Sequence, residues 1–348
     1  MKEKVILDPH FRRLGNIFSQ DDLARLGTVC EVIWSRDEPM PEALIQEASS
    51  DVIAIITGGW RYGDVDRFPK LRAVMEVGGG FPSPKSFDYA TCFARGIRVL
   101  SCAPAFGPAV AEMALGLSVV CARQIAWTDR AFRTQDPNWS HTDFETELGD
   151  TFTLYNKVAG FIGFGGLARS LRPLLAPFGC PIQVYDPWLT DTYLQEQGVS
   201  PVDLDTLLST SRFIYVLAVP SASNRALLSR EKLELISSDA VLLLMSRSHV
   251  VDFAALTEML LEGRFRAGID VYPEEPLPRD HPIRRANHAV LSSHRAGAIG
   301  EALQNIGHLV TNDVEAICRG LAPQYMQVAQ PEFIRLRDER STGVEPLR

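Results

Sequence analysis

Positive charge is not in surplus in this sequence: 35 Lys and Arg stand against 43 Asp and Glu, a formal net charge of −8. No general affinity for nucleic acid or for an anionic membrane is therefore implied. No two cysteines are spaced as C-x-x-C. The six, at positions 30, 92, 102, 121, 180 and 318, are scattered, as expected of reduced thiols in a cytoplasmic protein. None of the seven histidines falls in an H-x-x-x-H or H-E-x-x-H spacing, so no metal site is expected. The opening Met-Lys-Glu-Lys-Val-Ile-Leu-Asp lacks a secretory apolar region, and no apolar run reads as long enough to span a bilayer. Internal repeats and low-complexity tracts are also missing. What remains is a globular protein of 348 residues, 46% of them hydrophobic, long enough for two cores.

The informative stretch is Lys157 to Trp188. A short apolar run, Val158 to Ile162, reads as a buried strand. Gly163 and Gly165 then mark a tight turn, and Leu167, Leu171, Leu174 and Leu175 follow at helical spacing. A second apolar run, Ile182 to Tyr185, ends on Asp186, which lies 186 − 163 = 23 residues past the first glycine. Strand, glycine turn, helix, strand and acid in that order form a dinucleotide-binding fingerprint. Gly163 permits the turn, while Gly165 lets backbone amides at the helix start approach a pyrophosphate. Ala168 occupies the third fingerprint position and still permits close helix–strand packing. A lone G-x-G-x-x-A also occurs in βαβ units that bind nothing; the flanking strands and the acid separate the two readings. Asp186 would accept hydrogen bonds from ribose hydroxyls and repel a 2′-phosphate. Because Pro187 and Trp188 supply no arginine for such a phosphate, NAD is expected over NADP.

The first hundred residues alternate candidate strands (5–7, 30–34, 52–57, 73–77, 97–101) with helical patterns (19–26, 41–48, 87–95), which argues for a parallel sheet. Ligands sit beyond the carboxyl ends of such strands, which draws attention to Thr57-Gly58-Gly59-Trp60 and Val77-Gly78-Gly79-Gly80. One long helix is expected from Pro108 to about Phe132, apolar enough to be buried. The polar segment 134–155, with Trp139 and His141, reads as an exposed arm. Later strands are expected at 213–219, 241–245, 267–271 and 289–291, and a last helix at about 301–319, before a polar tail.

With these motifs in place, the chain resembles the D-isomer-specific 2-hydroxyacid dehydrogenase family over roughly residues 45 to 325. The resemblance rests on the fingerprint, Ala-Val-Ala-Glu at 109–112, Leu-Leu-Leu-Met-Ser-Arg-Ser-His-Val-Val-Asp at 242–252, Ala-Gly-Ile-Asp-Val-Tyr-Pro-Glu-Glu-Pro-Leu at 267–277 and Val-Leu-Ser-Ser-His-Arg-Ala-Gly-Ala at 290–298. It implies an α/β fold in which a Rossmann-type NAD-binding domain (106–297) is inserted into a discontinuous flavodoxin-like substrate domain (1–105 and 298–348). Two long helices would join them as a hinge, with the active site in the cleft. A homodimer with residues 130–155 as a clasp is implied as well.

Three chemical residues are carried over. Arg247 matches the arginine that binds the substrate carboxylate and carbonyl, a task suited to a planar, permanently charged fork. His294 matches the acid/base histidine, since hydride exchange at C2 requires a proton to move on the attached oxygen. Glu275, just before Pro276, matches the glutamate paired with it, and a carboxylate there fixes the imidazole tautomer. Asp270 matches an aspartate near the nicotinamide carboxamide, although a structural cap of the next turn is nearly as good a reading. Gly166, Leu167, Val219, Met245, Ser246 and Gly297 fall where the family lines the cofactor cleft. For the substrate, the amides of Gly78 and Gly79 would hold a carboxylate beside Arg247, and Trp60 would cap the pocket or simply belong to the core. Arg61 reads as a solvated arginine or as a partner for a second anion.

Departures are visible too. Ser248 and His249 replace the usual Gly-Gly, Ser293 stands where a proline is usual, Arg295 follows the histidine, Ala218 replaces a frequent histidine, and the 77–88 loop is about three residues longer than is usual for the family. The implied activity is reversible transfer of hydride between NAD(H) and C2 of a D-2-hydroxy acid or 2-oxo acid. The alternative is an NAD(H)-sensing binding protein of corepressor type with little turnover.

Overall fold

The architecture follows from thirteen strands, numbered in chain order, in a computed structural model that describes residues 2–134, 151–221 and 224–335. Strands β1 (Lys4–Asp8), β2 (Glu31–Ile33), β3 (Val52–Thr57), β4 (Ala73–Glu76) and β5 (Arg98–Ser101) come first. Next are β6 (Ala159–Ile162), β7 (Ile182–Tyr185), β8 (Ser200–Pro201), β9 (Phe213–Val216), β10 (Val241–Leu244), β11 (Arg266–Ile269) and β12 (Ala289–Leu291), and finally β13 (Gln327–Val328). The chain divides into two compact units, Met1–Phe106 with Gly297–Arg348, and Gly107–Ala296.

In the first unit the sheet runs β13-β5-β4-β3-β1-β2. All pairs are parallel except β13 against β5, where Val328 faces Leu100. The parallel part has the flavodoxin-like order 2-1-3-4-5. Both faces are covered, so these strands read as unbroken apolar runs rather than alternating ones. The period-2 alternation survives as a division of labour. Val5, Leu7, Ala73, Met75 and Leu100 join the helix Gly300–Cys318 in one core, while Ile6, Val74 and Val99 join Tyr62, Phe68 and Tyr89 in the other.

The second unit has a seven-stranded sheet in the order β12-β11-β10-β9-β6-β7-β8, parallel throughout. Within the unit this is 3-2-1-4-5-6-7, the doubly wound dinucleotide order with one extra strand. Leu242 and Leu244 of β10 pack with Leu256 and Leu260 of the helix Phe253–Leu261 in one core. Buried Tyr215 of β9 bonds to Ser118 of the helix Gly107–Ala122 at 2.8 Å, and Ser118 in turn donates to the Ala114 carbonyl. Each fully buried Leu, Ile or Val here stabilises the unit by about 1.5–3 kcal/mol.

Three expectations need correction. The long helix ends at Ala122; Gln124 adopts φ +54°, and a separate helix, Ile125–Thr134, follows. Positive φ on a residue other than glycine is incompatible with continuing a right-handed helix. The segment Ala103–Ala122 is, by length and composition, apolar enough to cross a membrane, contrary to the sequence reading. Its apolar character has a packing cause, since half of it is buried and Val110, Ala111, Ala114, Leu117 and Cys121 are inaccessible to solvent or nearly so. Third, the two-residue strands β8 and β13 and the short helix Pro331–Arg335 carry no signal above the loop background. Trp139, His141 and most of the proposed arm lie outside the described residues.

Candidate active site

Because every strand of the second sheet runs the same way, the loops that follow them all emerge at one edge. Gly163 follows β6, Asp186 follows β7, Val219 follows β9, Met245 to Arg247 follow β10, Asp270 follows β11 and His294 follows β12. Strand order reverses at β6, which lies between β7 and β9, the position where open α/β sheets bind ligands.

Gly163 has φ +92°, and a Cβ there would lie 2.7 Å from the Ala218 Cα and 2.8 Å from its nitrogen. The glycine is required both by its backbone angle and by the approach of the β9 loop. Gly165 caps the helix Gly166–Leu175 without any side-chain cap, and space around both Gly165 and Gly166 is open. The first-turn N–H groups of that helix, including those of Gly166 and Leu167, have no intrahelical partners and form an anion cradle. Ala168 is fully buried beneath. Asp186 accepts the Phe164 N–H at 2.8 Å through Oδ2 and the Trp188 N–H at 2.9 Å through Oδ1. It therefore fastens the glycine turn to the end of β7 while each oxygen keeps a lone pair to offer.

The β9 and β10 loops are tied together. Val219 is half-exposed, and its carbonyl accepts the Asn224 amide; His249 Nε2 lies 2.8 Å from the Ser221 carbonyl. The residues that replace the family's Gly-Gly thus form a short 3-10 turn, Ser248–Val250, anchored by an imidazole. Met245 and Ser246 are buried, and the Ser246 hydroxyl has no hydrogen-bond partner among the described residues. Arg247 donates to the Ser246 carbonyl at 2.7 Å. Solvent reaches its side chain, yet enough protein surrounds it that desolvation lowers its pKa, with Glu275 and Asp270 acting in the opposite direction. Both carboxylates are therefore close enough to act on this guanidinium.

The β11 and β12 loops hold the chemistry. His294 Nδ1 lies 2.6 Å from Glu275 Oε2, and Glu275 Oε1 accepts the Tyr272 N–H at 2.9 Å. A carboxylate only accepts, so Nδ1 carries the hydrogen and Nε2 is left to give or take a proton. His294 itself adopts φ +53°. Asp270, 1% exposed, accepts the Arg295 and Ala296 N–H groups at 2.8 and 3.0 Å and so holds the segment just past the histidine. The Tyr272 hydroxyl donates to the Ser292 carbonyl at 2.8 Å, and burial, aided by Asp270, pushes that phenol up to about 12. Three ties therefore fix the His294 loop against the β11 loop. The role of Tyr272 was missed in the sequence, where nothing marks it as more than a loop residue, and His249 stood out there only as a departure from the family's Gly-Gly.

The sequence profile of the D-isomer specific 2-hydroxyacid dehydrogenase NAD binding domain matches residues 115–296, more than half of the chain. The chain belongs to the D-isomer-specific 2-hydroxyacid dehydrogenase family. It is 26% identical to a glyoxylate reductase of Korarchaeum cryptofilum over 88% of this chain and 91% of that protein. It is 27% identical to a D-3-phosphoglycerate dehydrogenase of Methanocaldococcus jannaschii over 86% of this chain, but spans only 56% of that longer protein. A crystal structure of a phosphoglycerate oxidoreductase from Rhizobium etli superposes with a TM-score of 0.81 at 33% identity, covering 94% of this chain and 99% of that one. Family membership carries NAD(H) as cofactor and NAD-dependent 2-hydroxyacid dehydrogenase activity.

The remaining sequence candidates lie in the first unit. Trp60 packs edge-on against Tyr62, Phe68 and Phe87, with centroids 5.2, 6.3 and 4.8 Å away, and its indole N–H donates to the Gly63 carbonyl. The ring belongs to an aromatic cluster of the core. The Gly78 amide is taken by Glu76 Oε1 at 2.8 Å, and the Gly79 amide is directed at Cys102. Gly79, at φ +104°, lies so close to the Phe106 ring that a Cβ would come within 3.1 Å of it. Gly297 also packs on Phe106 and belongs to this unit rather than to the one that carries His294. Arg61 is half-buried and pairs with the fully buried Asp8, which also accepts the Tyr62 hydroxyl at 2.6 Å. The long 77–88 loop turns inward at buried Phe81, Pro82 and Phe87.

Proposed function

We propose that the protein interconverts a D-2-hydroxy acid and its 2-oxo acid, with His294 as the group that moves the proton. The observation that carries this reading is the His294–Glu275 pair, whose Nε2 has no partner among the described residues and lies at the same sheet edge as the Gly163 turn. The residues present fit the cofactor. Gly163 and the uncapped start of the helix Gly166–Leu175 suit a pyrophosphate, Asp186 suits the ribose hydroxyls, and the unpartnered Ser246 hydroxyl suits a polar group of the nicotinamide end. NAD(H), when bound, supplies or accepts the hydride at C2.

In the reducing direction Arg247 binds the carboxylate of the 2-oxo acid and polarises its carbonyl. As C2 becomes tetrahedral, its oxygen takes a proton from His294 Nε2. Glu275 stabilises the imidazolium before that transfer and keeps Nδ1 protonated after it. In the oxidising direction the same atoms act in reverse. The relatives' names support a small 2-oxo acid of the glyoxylate or phosphorylated three-carbon kind. Substrate contacts by Gly78 and Gly79 and a homodimer rest on the family resemblance, a contact by Trp60 on its place in the loop after β3, and cytoplasmic residence on the scattered cysteines. Analytical ultracentrifugation tests the homodimer.

The deciding experiment follows NADH absorbance with glyoxylate, pyruvate and hydroxypyruvate for the wild type and His294→Asn. Removing a general acid costs about 10²–10⁴-fold in kcat, with NADH affinity retained. Wild-type turnover in the variant would remove His294 from the mechanism. No observation favours the sensing alternative.

A further inference from the structure

We propose that the Tyr272 hydroxyl is a positioning group for His294, supplying across the loop the restraint that a proline before the histidine would supply along the chain. This rests on the dehydrogenase reading, in which His294 moves the proton.

The segment that delivers the imidazole has little restraint of its own. A proline at position 293 would fix its own φ and confine Ser292 to extended conformations, whereas Ser293 does neither. His294 then adopts φ +53°, a left-handed conformation that a residue other than glycine keeps only where its surroundings impose it. Among the described residues the Ser293 N–H has no hydrogen-bond partner. What holds this stretch comes from the β11 loop.

Tyr272 touches both members of the catalytic pair's support. Its hydroxyl donates to the Ser292 carbonyl at 2.8 Å, with the Ile269 carbonyl at 3.3 Å. The Ser292 N–H donates to that same Ile269 carbonyl at 2.8 Å, so both backbone groups of Ser292 are tied to the β11 side. The Tyr272 N–H donates to Glu275 Oε1 at 2.9 Å, and Glu275 Oε2 meets His294 Nδ1 at 2.6 Å. One residue thus holds the carboxylate with its backbone and the imidazole's segment with its side chain. The ring is itself seated, edge-on against Phe253 with centroids 6.1 Å apart. Burial pushes the phenol up to about 12, so it stays a donor wherever an imidazole exchanges protons. Asp270 grips the amides just past the histidine. Without the hydroxyl, Ser292 and Ser293 would pivot about that hold and carry Nε2 with them.

The test compares wild type, Tyr272→Phe, Ser293→Pro and the double variant. Phenylalanine keeps the ring and the N–H that holds Glu275, and deletes only the hydroxyl. With whichever of glyoxylate, pyruvate and hydroxypyruvate the wild type reduces best, kcat should fall by about 10- to 100-fold in Tyr272→Phe, while the KM for NADH holds. Ser293→Pro alone should turn over as the wild type does, and in the Tyr272→Phe background it should restore most of the lost kcat. Proton NMR gives a readout that needs no turnover. The low-field signal of the His294 Nδ1–H, assigned by its loss in His294→Asn, should broaden or vanish in Tyr272→Phe and return in the double variant. If His294→Asn kept wild-type turnover while this signal followed the pattern, the mechanism would fail and the positioning role would stand. Wild-type kcat with an intact signal in Tyr272→Phe would overturn the proposal even if melting were lowered, because the hydroxyl would then only brace the fold. So would a Ser293→Pro protein that is active by itself yet restores nothing in the double variant.

Discussion

Asp270→Asn separates two ways in which one carboxylate can serve this site. Asp270 is 1% exposed, and its two oxygens receive the Arg295 and Ala296 N–H groups at 2.8 and 3.0 Å. Asparagine keeps one oxygen as a neutral acceptor and turns an NH2 toward the second backbone donor. The first change loses about 1 kcal/mol and the second leaves a buried N–H unpaired at about 1–3 kcal/mol, together about 2–4 kcal/mol. For a unit of this size that amounts to a melting shift of about 5–15 °C. Because the two amides directly follow His294, the freed loop should also misplace the imidazole, and misplacement of a catalytic group by about 1 Å costs on the order of 10²-fold. The expected result is therefore lower melting by differential scanning calorimetry and lower kcat, with NADH affinity by fluorescence titration within a factor of two or three. Melting and kcat at wild-type values, with NADH binding weakened, would refute the reasoning and return Asp270 to direct contact with the cofactor.

Two further substitutions probe the cofactor end. Asp186→Ala should narrow the gap between NADH and NADPH affinity by about tenfold or more and cost about 1–3 kcal/mol of stability, since the Phe164 and Trp188 amides lose their acceptor; unchanged discrimination would count against the ribose assignment. Gly163→Ala should destabilise by about 1–3 kcal/mol through overpacking against Ala218 and weaken NADH binding more than tenfold, and an alanine variant with wild-type melting and affinity would show that the turn has room.

Much of the fold and half of the site were legible in one dimension. Buried parallel strands must be apolar throughout, so every strand of four or more residues stood out as a run between turn residues, and their alternation with helices in the first hundred residues argued for a parallel sheet. The fingerprint was readable because its steric demands fall on neighbours in sequence: a turn that only glycine tolerates, a helix that must start uncapped, and an acid one strand later. Arg247, Glu275 and His294 were carried over from the family resemblance, and the geometry joins Glu275 to His294 at 2.6 Å.

Tertiary structure alone decided which polar groups were left over. Asp270 meets backbone 25 residues away, and Tyr272 reaches a carbonyl 20 residues away. Arg12 grips a loop 65 residues ahead, and Trp60 packs against Tyr62 and Phe87. Such pairings depend on how distant segments register in three dimensions, and no local periodicity records them. Residue type and spacing determined the chemistry this chain can perform; packing decided which donors and acceptors remain free to perform it.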